Sequence, residues 1–156
     1  MRTWFFLLLF LSLAGCGDPA NRLYGSMSQI YPLDFDTVQA TRVTGGTSIQ
    51  VSVEYLRMSG QTLLGKTAKV TVSIDDIEPV AGLDIDMTEL VNGQPRGTVQ
   101  RVESGGTTDF PMTVGKIHFD QEPVGGADIK GLFRTTLADP DGRTLNGDFQ
   151  TKVQAL

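Results

Sequence analysis

His118 is the only histidine in the chain, and histidine is the side chain best suited to proton transfer near neutral pH. It lies between Ile117 and Phe119, so strand alternation places its side chain on the face opposite those apolar neighbours. A catalytic histidine also needs a nucleophile and an orienting acid, and the spacing of the sequence assigns neither. One histidine without a free cysteine cannot form a zinc site of the usual composition. We therefore interpret His118 as a residue on the solvent-facing side of a strand.

Carboxylates concentrate in two regions, where a hard cation such as calcium would find oxygen ligands. In the first region Asp84-x-Asp86 is not followed by a glycine turn and a closing bidentate glutamate, so no calcium loop is predicted. In the second region Asp139 and Asp141 fit a turn in which Asp side chains bond nearby backbone amides. We therefore predict neither a metal site nor a cofactor. The carboxylates considered are Asp75, Asp76, Glu78, Asp84, Asp86 and Glu89 in the first region, and Asp139, Asp141 and Asp148 in the second.

Motifs for nucleophilic catalysis and phosphate binding are missing from the sequence. It contains no G-x-S-x-G elbow, no S-x-x-K motif with its usual companions, and no Gly-rich phosphate loop before a helix. The sequence therefore predicts that the protein is not an enzyme. Its glycine pairs fall where loops need them, at predicted strand ends: Gly45-Gly46, Gly105-Gly106 and Gly125-Gly126.

The amino end has the composition of an export signal. Arg2 precedes the apolar run 5–11, and small residues stand ahead of Cys16. The run is shorter than the roughly twenty apolar residues that span a bilayer. Leu13-Ala14-Gly15-Cys16 resembles the lipobox of bacterial lipoproteins, which signal peptidase II cleaves before the cysteine.

This resemblance implies that the chain is cut between Gly15 and Cys16 and that a diacylglyceryl group is added to the Cys16 sulfur. The new amino end is usually acylated too, and two or more buried acyl chains make a stable anchor. Cys16 is the only cysteine, so no disulfide is predicted. We expect a signal peptide over 1–15, the lipidated cysteine and a short tether over 16–22, and a single all-β domain over 23–156.

The formal net charge of −5 makes nucleic acid an unsuitable partner. The expected partners are the membrane, through the lipid at Cys16, and an envelope protein. In enteric bacteria an Asp directly after the lipidated cysteine resembles an inner-membrane retention signal. Here that position is Gly17, so we expect the outer membrane.

Period-two alternation of apolar and polar residues dominates the mature chain, and no window shows a long helical stripe. The clearest predicted strands are 48–57 and 66–74, where one face is apolar and the other polar. Other predicted strands are 23–30, 35–43, 83–87, 98–103, 110–114 and 116–121, with Gly115 as a bulge between the last two.

The last thirty residues predict a β-hairpin, because I-x-G-x-F-x-T-x-L over 129–137 and L-x-G-x-F-x-T-x-V over 145–153 share one pattern. A three-residue loop centred on Asp141 would place all six apolar residues on one face. The predicted opposite pairs are Leu137 with Leu145, Phe133 with Phe149, and Ile129 with Val153. Gly131 and Gly147 mark either strongly bent strands or backbone that the aromatic rings cover.

About eight or nine short strands, with turns rich in Gly, Asp and Pro, predict an all-β antiparallel sandwich. A small β-barrel is the alternative, since the sequence does not separate the two. For function we expect a membrane-anchored envelope lipoprotein with a non-catalytic interaction or structural domain. One alternative is a carrier of a small apolar ligand, although the Gly-x-Trp signature of lipocalins is absent. The other is an accessory lipoprotein of a secretion or envelope assembly, by analogy of architecture alone.

Overall fold

The computed structural model describes residues 20–45, 48–74, 77 and 82–156. Within these ranges the chain is almost entirely β, with one short 3-10 helix at Ser26–Gln29. The described residues form nine strands of four or more residues, in agreement with the predicted eight or nine. The strands are β1 (Arg22–Tyr24), β2 (Thr37–Gly45), β3 (Ser48–Ser59), β4 (Thr62–Ser73), β5 (Leu83–Asp86), β6 (Leu90–Val91), β7 (Gln94–Pro95), β8 (Gly97–Glu103), β9 (Gly106–Asp109), β10 (Met112–Phe119), β11 (Asp128–Leu137) and β12 (Thr144–Ala155).

The main strands are hydrogen-bonded in the order β5-β10-β11-β12-β2-β3-β4-β8-β9, with β1 added beside β12. Their pairings are antiparallel except that between β12 and β2, which is parallel. β6 and β7 form a separate two-stranded ribbon. Among the described strands the order does not close into a ring, so the all-β sandwich is confirmed over the closed barrel.

β12 links the two layers of the sandwich. Its first part pairs with β11 on one side and β1 on the other, whereas its residues 153–155 pair with β2. One layer continues through β11, β10 and β5, and the other through β2, β3, β4, β8 and β9. Side chains from both layers, such as Phe133 and Val70, belong to one buried cluster.

The apolar face predicted for the two clearest strands is confirmed, whereas Glu54 and Thr67, which the prediction places on the polar face, are buried as well. Burial of a valine side chain stabilises the folded state by about 1.5–3 kcal/mol, so the buried faces of these strands form a large part of the core. The residues concerned have no exposed surface: Val51, Val53 and Tyr55 on β3, and Ala68, Val70 and Val72 on β4.

The β11–β12 hairpin keeps its predicted faces but not its predicted register. Phe133 lies opposite Gly147 rather than Phe149, which is a shift of two residues. A backbone hydrogen bond of 2.8 Å from Leu137 N–H to Arg143 O encloses residues 138–142, so the loop has five residues rather than three. A shift of two preserves the faces, since the side-chain period of a strand is two. All six apolar residues of the pattern are buried: Ile129, Phe133, Leu137, Leu145, Phe149 and Val153.

The two hairpin glycines lie directly beneath aromatic rings. A Cβ added at Gly131 would come 2.4 Å from Phe149 Cζ, and one at Gly147 would come 2.3 Å from Phe133 Cε1. The rings therefore cover the glycine backbone, as the second of the two interpretations predicts. Neither position has room for a side chain.

Two predicted strand boundaries are wrong. The strand predicted over 23–30 ends at Tyr24, where Gly25 takes a φ of 138° and approaches the carbonyl oxygen of Thr144 so closely that no Cβ fits. The chain then turns into the 3-10 helix. The strands predicted over 110–114 and 116–121 form one strand, β10, whose register shift lies between Met112 and Val114 rather than at Gly115.

Candidate functional site

His118 is bracketed by two carboxylates. Its Nδ1 lies 2.8 Å from Asp84 Oδ1, across the β10–β5 ladder, and its Nε2 lies 3.3 Å from Asp120 Oδ1. The side chain is 26% exposed, while Ile117 and Phe119 are buried, so the predicted alternation is correct. In a hydrolytic triad one ring nitrogen faces an acid and the other a nucleophile. Here both nitrogens face carboxylates.

The first acidic region is only partly within the described residues. Asp75, Asp76 and Glu78 lie outside them, whereas the carboxylates farther along have local partners. Asp86 accepts hydrogen bonds from the Thr88 hydroxyl and backbone N–H, at 2.7 and 2.9 Å, and these bonds lower the pKa of Asp86. Glu89 lies 2.9 Å from Arg96. Among the described residues, no three His, Cys, Asp or Glu side chains are grouped to hold a metal ion.

The second acidic region has the turn chemistry that the sequence predicts. Asp139 accepts the backbone N–H of Arg143 at 2.8 Å and its guanidinium at 2.7 Å, and these contacts lower the pKa of Asp139. Asp141 pairs with the same guanidinium. Gly142 takes the left-handed conformation, with a φ of 57°, and its N–H donates to Asp139 O. Asp139 and Asp141 therefore shape the loop.

Asp148 lies outside that turn and joins three strands. Burial opposes its ionisation, but hydrogen bonds from Arg134 on β11, at 2.7 Å, and from Arg22 on β1 outweigh burial and lower its pKa. The Tyr55 hydroxyl donates to the Asp148 carbonyl at 2.9 Å, and burial raises the pKa of Tyr55. Sequence reasoning missed this cluster, because its members are far apart along the chain.

The sequence does not indicate that two arginines have largely buried side chains. The Arg96 side chain is 2% exposed and that of Arg101 is 6% exposed. Arg101 lies 2.7 Å from Glu103, donates to Pro32 O at 3.0 Å, and stacks over the Tyr31 ring at 5.1 Å. These contacts fasten Tyr31 and Pro32 to β8 and account for the burial of the charge.

An apolar groove of about 450 Å³ lies beside the β6–β7 ribbon. Its size falls within the range of small-ligand sites, which are mostly apolar with a few polar groups. Leu90 on its rim is 67% exposed. The sequence predicts a strand over 110–114 and gives no sign of the groove. Its apolar lining residues are Leu90, Pro95, Val99, Phe110, Pro111 and Met112, and Thr88, Thr98 and Asp109 are the polar ones.

A polar cleft of about 400 Å³ lies on the other side of the same ribbon. Its floor is the outer face of β3, β4 and β8, and its roof is the turn at Asn92. Lys69 is the partly exposed cation of this cleft, and it lies 3.7 Å from Glu54. Amide and hydroxyl side chains make up most of the remaining lining, so the cleft has hydrogen-bonding groups without a concentrated charge.

The two residues that the lipobox resemblance singles out, Gly15 and Cys16, lie outside the described residues. The structure begins to describe the chain at Ala20, and β1 begins at Arg22. The part of the chain that the structure describes holds no helix with the length and apolar character of a bilayer span. No family model, curated protein or solved structure matches this chain.

Proposed function

We propose that this chain is a bacterial envelope lipoprotein, anchored through Cys16, whose β-sandwich is a non-catalytic interaction or structural domain at the outer membrane. The lipobox match of Leu13-Ala14-Gly15-Cys16 behind an apolar run carries the proposal. The double carboxylate contact of His118 supports a non-catalytic domain, because neither ring nitrogen is left facing a nucleophile.

Intact-protein mass spectrometry of the membrane fraction tests the anchor. The wild-type protein should lack residues 1–15 and carry acyl mass, and the Cys16→Ala variant should carry none. Ser12→Ala, in the signal but outside the lipobox, is the matched control and should be processed like the wild type. A wild-type chain that begins elsewhere and carries no acyl mass would overturn the proposal.

The apolar groove supports a second candidate function, the binding of a small apolar ligand. Its lining of Phe110, Met112 and neighbouring aliphatic side chains would bury such a ligand, and Asp109 at its edge would remain in contact with water. An apolar fluorescent probe should then bind the purified lipoprotein with one-to-one stoichiometry. Absence of saturable binding would exclude this candidate and leave the first one unaffected.

A further inference from the structure

The pairing of β1 sets the direction from which the segment after Cys16 reaches the domain. β1 runs antiparallel to β12, with Arg22 opposite Asp148. Asn21, one residue earlier, accepts the backbone N–H of Gln150 at 2.6 Å. Followed backward from Arg22, the chain therefore runs toward the carboxyl end of β12.

One end of the sandwich, which we call the basal end, brings three strand ends together. β2 ends at Gly45, β3 begins at Ser48, and β12 ends at Ala155. Gly45 pairs with Ser48, and Ala155 pairs with Arg42 on β2. Because β12 runs parallel to β2, the segment that precedes β1 points toward the basal end.

The tether between Cys16 and the domain is too short to hold the basal end away from a membrane. Cys16 precedes Asn21 by five residues, which extend to at most about 18 Å. From Gln150, beside Asn21, to Ala155 the strand β12 also advances five residues, or about 17 Å. A fully extended tether in this direction therefore brings Cys16 level with the basal end and little farther.

The basal end carries exposed apolar side chains. Val43 is 44% exposed, Val124 39% and Leu156 81%, and we call these three residues the basal patch. Arg42, directly before Val43, joins them, since its carbonyl oxygen accepts the N–H of Leu156 at 3.0 Å. Its guanidinium donates to the carbonyl oxygen of Pro123, the residue before Val124, at 3.1 Å. The three apolar side chains therefore belong to one local surface.

Charges beside the basal patch have neighbours of opposite sign. Arg42 Nη1 lies 3.6 Å from Glu122 Oε1. Lys152 and Asp128 are cross-strand partners on β12 and β11. A compensated charge meets a lower desolvation cost near an apolar surface than an isolated charge does. These residues are therefore compatible with an apolar surface close by.

We infer that the basal patch rests in the lipid surface that holds Cys16, so that the sandwich stands with its basal end on the membrane. The inference rests on the proposed lipoprotein function. Lipid is the occupant because the short tether leaves no room for a protein between the basal end and the membrane. Apolar side chains at the headgroup level are stabilised by leaving water. β3 has twelve residues, so its other end stands about 36 Å from the basal end.

Tryptophan scanning tests the inference, because the only tryptophan of the chain is Trp4, which the proposed cleavage removes. Full-length Val43→Trp, Val124→Trp and Leu63→Trp variants are checked for lipidation by mass spectrometry and for folding by circular dichroism. They are then reconstituted into phosphatidylcholine vesicles with brominated acyl chains. Leu63 is the matched control, since it is 49% exposed and lies at the far end of the β3–β4 hairpin. Both valine variants should show blue-shifted emission and loss of fluorescence, whereas Leu63→Trp should show neither.

Each other outcome overturns a defined statement. Lipidated, folded Val43→Trp and Val124→Trp proteins whose emission brominated lipid does not change would refute the basal contact and leave the lipoprotein proposal standing. Quenching of one valine variant alone would refute contact of the whole patch. Quenching of Leu63→Trp to the same extent would refute the orientation. Absence of lipidation in all three variants and in the wild type would instead refute the proposed function.

Discussion

Substituting Gly131 with alanine is the perturbation whose effect on stability follows most directly from the structure. An added Cβ would lie 2.2 Å from the carbonyl oxygen of His118 and 2.4 Å from Phe149 Cζ. Comfortable heavy-atom contacts begin near about 3.5 Å, so the structure must yield by about 1 Å. The oxygen belongs to the backbone of β10, which is paired on both sides, with β11 and with β5.

Overpacking of a core typically costs about 1–3 kcal/mol, and a backbone atom cannot move aside as a side-chain end can. We therefore expect Gly131→Ala to lower the free energy of unfolding by about 3 kcal/mol. For a domain of this size that corresponds to a fall in Tm of about 10 °C. Far-ultraviolet circular dichroism of the detergent-solubilised protein, during heating and during urea titration, measures both quantities.

Gly105→Ala is the matched control, because no atom lies within 4 Å of a Cβ at that position. Its free energy of unfolding should stay within about 0.5 kcal/mol of the wild type. The reasoning is refuted if Gly131→Ala behaves like this control. The double variant Gly131→Ala with Phe149→Leu removes the aromatic ring but not the oxygen, so it should recover little stability. Full recovery would show that the ring alone causes the effect.

Three further outcomes are expected. The guanidiniums of Arg134 and Arg22 lower the pKa of Asp148 in the folded protein. The ionised Asp148 therefore stabilises the fold fully at pH values above its ordinary pKa of about 4. This stabilisation is lost as the pH falls through the lower pKa of the folded state. Urea midpoints at about pH 7 and about pH 3 should therefore differ less for Asp148→Asn than for the wild type, and equal differences would contradict this. If the proposed lipid anchor is correct, Gly17→Asp should move the protein from the outer-membrane to the inner-membrane fraction of an enteric host, and an unchanged distribution would refute the sorting expectation. Leu90→Gln should weaken binding of an apolar probe to the groove, whereas Val124→Gln, on an exposed residue that does not line it, should not.

The parts of the fold that the sequence predicted well are those with a local physical signal. Alternation along β3 and β4 identifies the buried face, because the apolar residues of each strand recur at every second position of that strand's own sequence. The Asp139–Gly142 turn was predicted from residue types with defined backbone preferences. The length of the loop was not predicted. Whether it has three or five residues also depends on the hydrogen bonds that Arg143 donates to Asp139.

The parts that the sequence did not predict depend on contacts between distant residues. The parallel pairing of β12 with β2 and the placement of β1 beside β12 have no local signature. The Asp148 cluster joins Arg22 to a carboxylate 126 residues away. The apolar groove likewise arises where the β6–β7 ribbon meets the segment around Phe110. The candidate site that sequence reasoning did identify, Cys16, rests on a contiguous motif.

The placement of β12 has a consequence for the order in which the molecule is completed. β12 is the last strand along the described chain, yet both layers and β1 depend on it for pairing. Until β12 pairs with β2, no strand ladder among the described residues joins the two layers. Closing them requires a contact over nearly the whole length of the domain, which is slow to form. We therefore expect the pairing of β12 with β2 to form late in folding, after local hairpins such as β3–β4.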